Sequence, residues 1–275
     1  MSAPSALDPD QPLVISSYSL GTEVSFENRV AIAAGAGFAG IGLRAENYWD
    51  ARESGLSDQD MQAILDRHQM AIQEVEYLTD WSTEQTRRQA QRKEDTIFHL
   101  ARTFGVTHVN AGLFQQLSSG VITEGFRALC DRAGELTVAL EFLPFGGVPT
   151  LRESWQTVRS ADQPNGALLV DTWHWVRSGT TVQDLAQVPA EKIVSVQIND
   201  VRKHPLDPLR PEALHWRLPP GHGFGNVTDI IAALRDKGVR PRIVAAEVMN
   251  DDLLAAGLET TAKTIMTACR EVLRG

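Results

Sequence analysis

Leu168-Leu169-Val170-Asp171-Thr172-Trp173-His174-Trp175 is an apolar run that closes on a carboxylate, with an imidazole three residues further on. Three other segments close in a similar way. They are Thr137-Val138-Ala139-Leu140-Glu141, Ile193-Val194-Ser195-Val196-Gln197-Ile198-Asn199-Asp200 and Ile243-Val244-Ala245-Ala246-Glu247. Short apolar runs of this kind predict buried strands. A carboxylate at the end of a buried strand needs a partner, because an unpaired buried charge is costly. Four such ends meet that need together if they share one divalent cation.

Working outward, eight apolar runs predict strands at 13–19, 40–44, 71–77, 107–111, 137–142, 167–171, 193–199 and 243–248. Helical patterns lie between them at 26–36, 58–68, 83–104, 123–134, 151–159, 181–186, 227–237 and 253–273. Alternating strands and helices imply a parallel sheet with right-handed crossovers. Eight such units in 275 residues predict an α/β fold, a single-domain (β/α)8 TIM barrel over 12–275. The rival, a doubly wound sheet, lacks its glycine-rich turn: Ser19-Leu20-Gly21-Thr22 follows the first strand instead. The proline- and glycine-rich stretch 201–226 reads as a functional loop over the site rather than a linker.

The formal net charge of −9 argues against a nucleic-acid groove as the main surface. Arg87-Arg88 and Arg92-Lys93 are interleaved with Glu84, Glu94 and Asp95, as on a solvated helix face. Cys130 and Cys269 have no metal-type spacing and read as reduced, packed thiols. Residues 1–11 are polar and proline-bearing, expected to form a disordered tail, without the basic start and apolar core of a signal peptide. No run is long enough to span a membrane. The expectation is a cytoplasmic protein acting on a small molecule, with no membrane or nucleic-acid partner and scope for a homo-oligomer.

Active sites of such barrels form at the C-terminal strand ends. Glu141, Asp171, Gln197 and Glu247 all fall there and form a hard, oxygen-rich donor set. That set suits Mn²⁺ or Mg²⁺ better than Co²⁺ or Zn²⁺. His174 is placed to hydrogen-bond a substrate oxygen or to transfer a proton, and Arg217 in the long loop to bind an oxyanion. Glu46 and Glu76 read as solvated or helix-capping acids. His68, His99 and His108 read as structural, away from the site.

These residues resemble the xylose isomerase-like TIM barrels, the sugar isomerase and epimerase superfamily. The resemblance rests on Glu141, on Asp171 with His174, on Gln197 with Asp200, on Glu247, and on the loop Arg217-Leu218-Pro219-Pro220-Gly221-His222-Gly223, which carries one extra proline. It implies a metal held by Glu141, Asp171, Gln197 and Glu247, and proton transfer by Glu141 and Glu247 next to the carbonyl of a keto sugar or polyol ketone. Gln197 stands where sugar epimerases usually carry histidine, and in this respect the chain is similar to bacterial 3-dehydroshikimate dehydratases. Those carry an arginine after the third strand, whereas this chain reads Glu76-Tyr77-Leu78-Thr79-Asp80-Trp81. The first expectation is therefore an isomerase or epimerase. The alternative is a carbon–oxygen lyase of the dehydroshikimate or inosose dehydratase type, and a third is a binding barrel without chemistry.

Overall fold

The computed structural model describes residues 7–275. Eight strands form one parallel sheet: β1 Leu13–Ile15, β2 Gly40–Arg44, β3 Ala71–Glu76, β4 His108–Ala111, β5 Thr137–Glu141, β6 Gly166–Asp171, β7 Ile193–Ile198 and β8 Ile243–Ala246. Their order is β3-β2-β1-β8-β7-β6-β5-β4. The seam between β3 and β4 is bridged just beyond β3. There the Leu78 N–H donates to Asn110 O at 3.0 Å and the Gly112 N–H donates to Leu78 O at 2.9 Å. The result is a nearly closed (β/α)8 barrel in one domain.

Strand alternation sorts each strand into two faces. Leu13, Ile41, Val109, Val138, Val170 and Val196 belong to the large core shared with the helices. The other face turns into the barrel. Val14, Ala139, Leu169 and Ala245 fill part of it in small apolar clusters. Ser16, Glu74, Asn110, Ser195 and Gln197 form a second, polar set, every one of them fully buried. Gly42 leaves room for this set: a Cβ there would stand 2.8 Å from Glu74 Oε2 and 3.2 Å from Ser16 Cα.

Local departures from the sequence reading have local causes. The first strand stops at Ile15, and Ser17–Leu20 is a 3-10 turn. The long helix expected over 83–104 breaks at Ala90 into Glu84–Gln89 and Gln91–Thr103. The first piece buries no side chain, while the second buries Ile97, Phe98 and Leu100, so the core holds only the second in place. Short helices at Ala45–Glu53, Thr172–Arg177 and Leu209–His215 escaped the reading because none carries a full apolar stripe. Residues 7–11 correct part of the expected disordered tail. Leu7 is buried and its carbonyl accepts from Arg235 at 2.7 Å, while Arg270 Nη1 donates to Pro9 O and Gln11 O, each at 2.7 Å. Residues 1–6 lie outside the described residues. Cys130 and Cys269 are free and buried. Among the described residues, no helix is long and apolar enough to cross a membrane.

His108 opens β4, at the end of the barrel away from the strand C-termini. It is 1% exposed, and its Nε2 has no hydrogen-bond partner among the described residues. Burial first, and then Arg242, hold its pKa down to about 4. The folded chain therefore refuses a proton that the unfolded chain accepts below about pH 6.5. Stability from this group is complete above that pH and is lost as pH falls toward 4. About 2 kcal/mol should disappear between pH 7 and pH 5. Urea unfolding of wild type and His108→Phe at the two pH values checks this. Equal pH dependence in both proteins would show that His108 is not the cause.

Candidate active site

The four residues of the expected ligand set all stand at the C-terminal ends of their strands. Glu141 ends β5, Asp171 ends β6, Gln197 is the penultimate residue of β7, and Glu247 follows β8 directly. Asp171 pairs in register with Gln197, and Gln197 with Ala245, so the ends are level. Asp171 also caps the helix Thr172–Arg177: its Oδ1 accepts from the His174 N–H at 2.9 Å. That turn carries the imidazole back over the mouth, where His174 Nε2 lies 3.2 Å from Glu141 Oε1. Trp173 and Phe145 hold the ring, at centroid distances of 5.1 and 5.8 Å. Glu141, Asp171 and His174 each offer a ligand atom, and these atoms lie within 4.8 Å of one another.

Arg217 ties the fourth acid to this group. Its Nη1 donates to Asp171 Oδ2 at 2.8 Å and to Glu247 Oε2 at 2.9 Å, and its Nη2 lies 3.3 Å from His174 Nε2. Arg217 is 3% exposed; its Nη1 is committed to the two acids and its Nε donates to Ala213 O at 2.9 Å, while Nη2 faces the imidazole. The loop that delivers it is held from below by Asp200. That carboxylate accepts the backbone N–H groups of Val201, Gly221, Gly223 and Gly225 at 2.7–3.0 Å. A Cβ at Gly223 would meet Asp200 Cγ at 2.6 Å, which is why the loop needs glycine there. Buried Glu212 anchors the same loop, accepting from Trp173 Nε1 at 3.1 Å, Arg177 Nε at 2.8 Å and the Leu206 N–H at 2.8 Å. Asn199 links the ends of β6 and β8, donating to Asp171 Oδ2 at 2.6 Å and Glu247 O at 3.1 Å.

Gln197 faces inward with its amide nitrogen toward acids that sequence reasoning undervalued. Nε2 donates to Glu74 Oε1 and Glu76 Oε1, both at 3.0 Å, and Asn110 Nδ2 donates to the same two oxygens at 3.0 and 3.2 Å. Glu76 is 1% exposed, which corrects its reading as a solvated or capping acid. Glu46 is the solvated one, paired with Lys93 at 2.7 Å. The i, i+2 spacing of Glu74 and Glu76 puts both on one strand face and was the available signal. Arg44, which ends β2, was also missed. Its Nε lies 3.4 Å from Glu76 Oε2 and its Nη2 lies 3.5 Å from Glu247 Oε1.

Five buried carboxylates, Glu74, Glu76, Glu141, Asp171 and Glu247, thus face two guanidinium groups, which pair with only three of them, Glu76, Asp171 and Glu247. Burial first, then the charges of Glu76 and Glu247, raise the Glu74 pKa well above the usual carboxylate range. Burial also pushes Glu247 up to about 8, against the pull of Arg217. Burial raises Tyr77 strongly, and the adjacent Glu141 charge adds to it. This excess of acid is what a divalent cation neutralises. Two atoms fit such an ion: Gln197 Oε1 and Glu141 Oε1 are buried without a hydrogen bond from any of the described residues.

The family model of xylose isomerase-like TIM barrels matches residues 30–271. The chain belongs to this family. It is 29% identical over 176 residues to a 3-dehydroshikimate dehydratase of Pseudomonas aeruginosa, covering 63% of this chain and 27% of that protein. It is 28% identical over 138 residues to an inosose isomerase of Halalkalibacterium halodurans, covering 50% of this chain and 48% of the relative. The matches thus span about half or less of these relatives' own length. The crystal structure of an IolI protein with a bound zinc atom superposes with a TM-score of 0.86 at 19% identity, covering 96% of this chain and 98% of that one.

Proposed function

We propose that this xylose isomerase-like barrel is a divalent-metal-dependent isomerase or epimerase, moving a proton at the carbon next to the ketone of a keto sugar or polyol ketone. The observation that carries the reading is the convergence of Glu141, Asp171 and His174 within 4.8 Å, with Glu247 joined to Asp171 through Arg217. Carboxylates able to bind a metal and to accept a proton therefore meet at one point. Glu141, Asp171, Gln197 through its free Oε1, and Glu247 would hold the ion. When bound, a divalent ion supplies Lewis acidity at a ketone oxygen, acidifying the neighbouring carbon. Mn²⁺ or Mg²⁺ suits three carboxylates and an amide, and the same donors accept Co²⁺ or Zn²⁺ less well.

Glu141 and Glu247 approach from β5 and β8, on different sides of the mouth, so one removes a proton and the other returns it. His174 Nε2 and the Arg217 guanidinium turn toward the same centre and stabilise negative charge on the substrate oxygens. The aromatic wall of Trp173 and Phe145 excludes water from the imidazole. The second reading is a dehydratase. It shares the first proton removal and differs in losing a β-hydroxyl. Gln197 and the similarity to a 3-dehydroshikimate dehydratase favour it.

The test is a panel of ketoses, inososes and 3-dehydroshikimate incubated in D₂O with Mn²⁺-loaded protein and read by mass spectrometry. Solvent deuterium on carbon, with no loss of mass, is the expected result. Loss of one water from a panel member establishes the second reading. Neither change from any member, in protein of full metal content, overturns both.

A further inference from the structure

Gln197 Nε2 donates to two oxygens at once, Glu74 Oε1 and Glu76 Oε1, both at 3.0 Å. A carboxamide nitrogen carries two N–H groups, so both are spent. Asn110 Nδ2 donates to the same pair at 3.0 and 3.2 Å and braces it from β4. Each of the two oxygens therefore accepts two N–H groups. All four side chains are buried.

A carboxamide is planar, so fixing both N–H groups fixes the direction of its carbonyl. The opposite orientation, reached by a half-turn, would set Gln197 Oε1 against two acceptor oxygens at the same 3.0 Å. It would lose two hydrogen bonds and put repulsion in their place. Burial raises the Glu74 pKa. A proton on Glu74 belongs on Oε2, which is free of any hydrogen bond from the described residues, and not on Oε1, which already accepts twice. Oε1 is thus an acceptor in either state.

What this arrangement leaves free is Gln197 Oε1, buried and without a hydrogen bond from any of the described residues. Gln197 pairs in register with Asp171, level with the expected ligand set. An amide has two ends of opposite polarity: the oxygen binds a cation and the N–H groups repel one. The wrong orientation would therefore cost the site a ligand.

We infer that Glu74 and Glu76 are positioning residues for the metal centre: by taking up both N–H groups of Gln197, they hold its carbonyl oxygen turned to the ion. The inference rests on the proposed function for Gln197 as a ligand. It also gives a purpose to two buried acids that neither bind the ion nor move a proton.

Calorimetry of Mn²⁺ binding to metal-free wild type, Glu74→Gln, Gln197→Ala and the double variant tests this. Glu74→Gln can meet the Gln197 amide in either orientation, and should weaken Mn²⁺ by about 10-fold, the low end for an outer partner of a metal ligand. Gln197→Ala should weaken it at least as much. The double variant should be no weaker than Gln197→Ala, because the group that Glu74 orients is gone. Glu74→Asp keeps the acid and withdraws the acceptor by one carbon. It should show the same loss as Glu74→Gln, and takes its place if that variant does not fold. Wild-type affinity in the Glu74 variants overturns the inference. So do losses that multiply in the double variant, since Glu74 would then act on the ion without Gln197. Undiminished affinity in Gln197→Ala would remove Gln197 from the proposed ligand set, and the inference with it. Protein that follows the expected pattern but exchanges no substrate proton in D₂O would sink the proposed function and leave this inference standing.

Discussion

Glu141→Gln is expected to lower kcat by roughly 10²–10⁴-fold, the usual contribution of a positioned acid or base. The amide is almost isosteric with the carboxylate, so His174 and the end of β5 keep their places. It cannot take a proton from carbon, and it is a weaker metal donor. Glu141 Oε1 is buried, 3.2 Å from His174 Nε2 and without a conventional hydrogen bond. The amide stays beside His174 and Tyr77 in the same place, so unfolding temperature should hold. Initial rates at saturating Mn²⁺, alongside metal analysis, separate loss of the base from loss of the ion. Activity within tenfold of wild type at full metal occupancy would exclude Glu141 as the proton-transfer group.

Arg217→Met should cost about 3–5 kcal/mol of stability in metal-free protein, the range for removing one partner from a buried ion pair. Asp171 and Glu247 are 0% and 3% exposed and would face each other without the guanidinium. Asp171 would keep Asn199, but Glu247 would keep only distant partners, Ser16 and Arg44, at 3.5 Å. A divalent ion supplies the missing positive charge. Mn²⁺ should therefore raise the unfolding temperature of Arg217→Met more than that of wild type. Urea unfolding in chelator and in Mn²⁺ gives both numbers. A metal-free variant within about 1 kcal/mol of wild type, the scale of an exposed pair, would show that the two acids do not depend on Arg217.

The convergence of Asp171 and His174 was legible because it is local. Asp171 ends an apolar run and caps the next helix, and three residues of helix bring His174 back over it. The strand-end positions of Glu141 and Glu247 followed from the same pattern, and strand–helix alternation made a barrel the natural frame. The partners of these residues were not legible. Gln197 reads as a ligand type, yet its amide nitrogen is held by Glu74 and Glu76, more than a hundred residues earlier in the chain. Arg44 looks like an ordinary polar end to a strand until barrel closure sets Tyr18, Tyr77, Glu76 and Glu247 around it. Periodicity and capping act over a few residues, so the sequence alone determined which side chains face inward and which end a strand. Register across eight strands decides which of those side chains meet, and the charges that must then be balanced belong to the closed barrel.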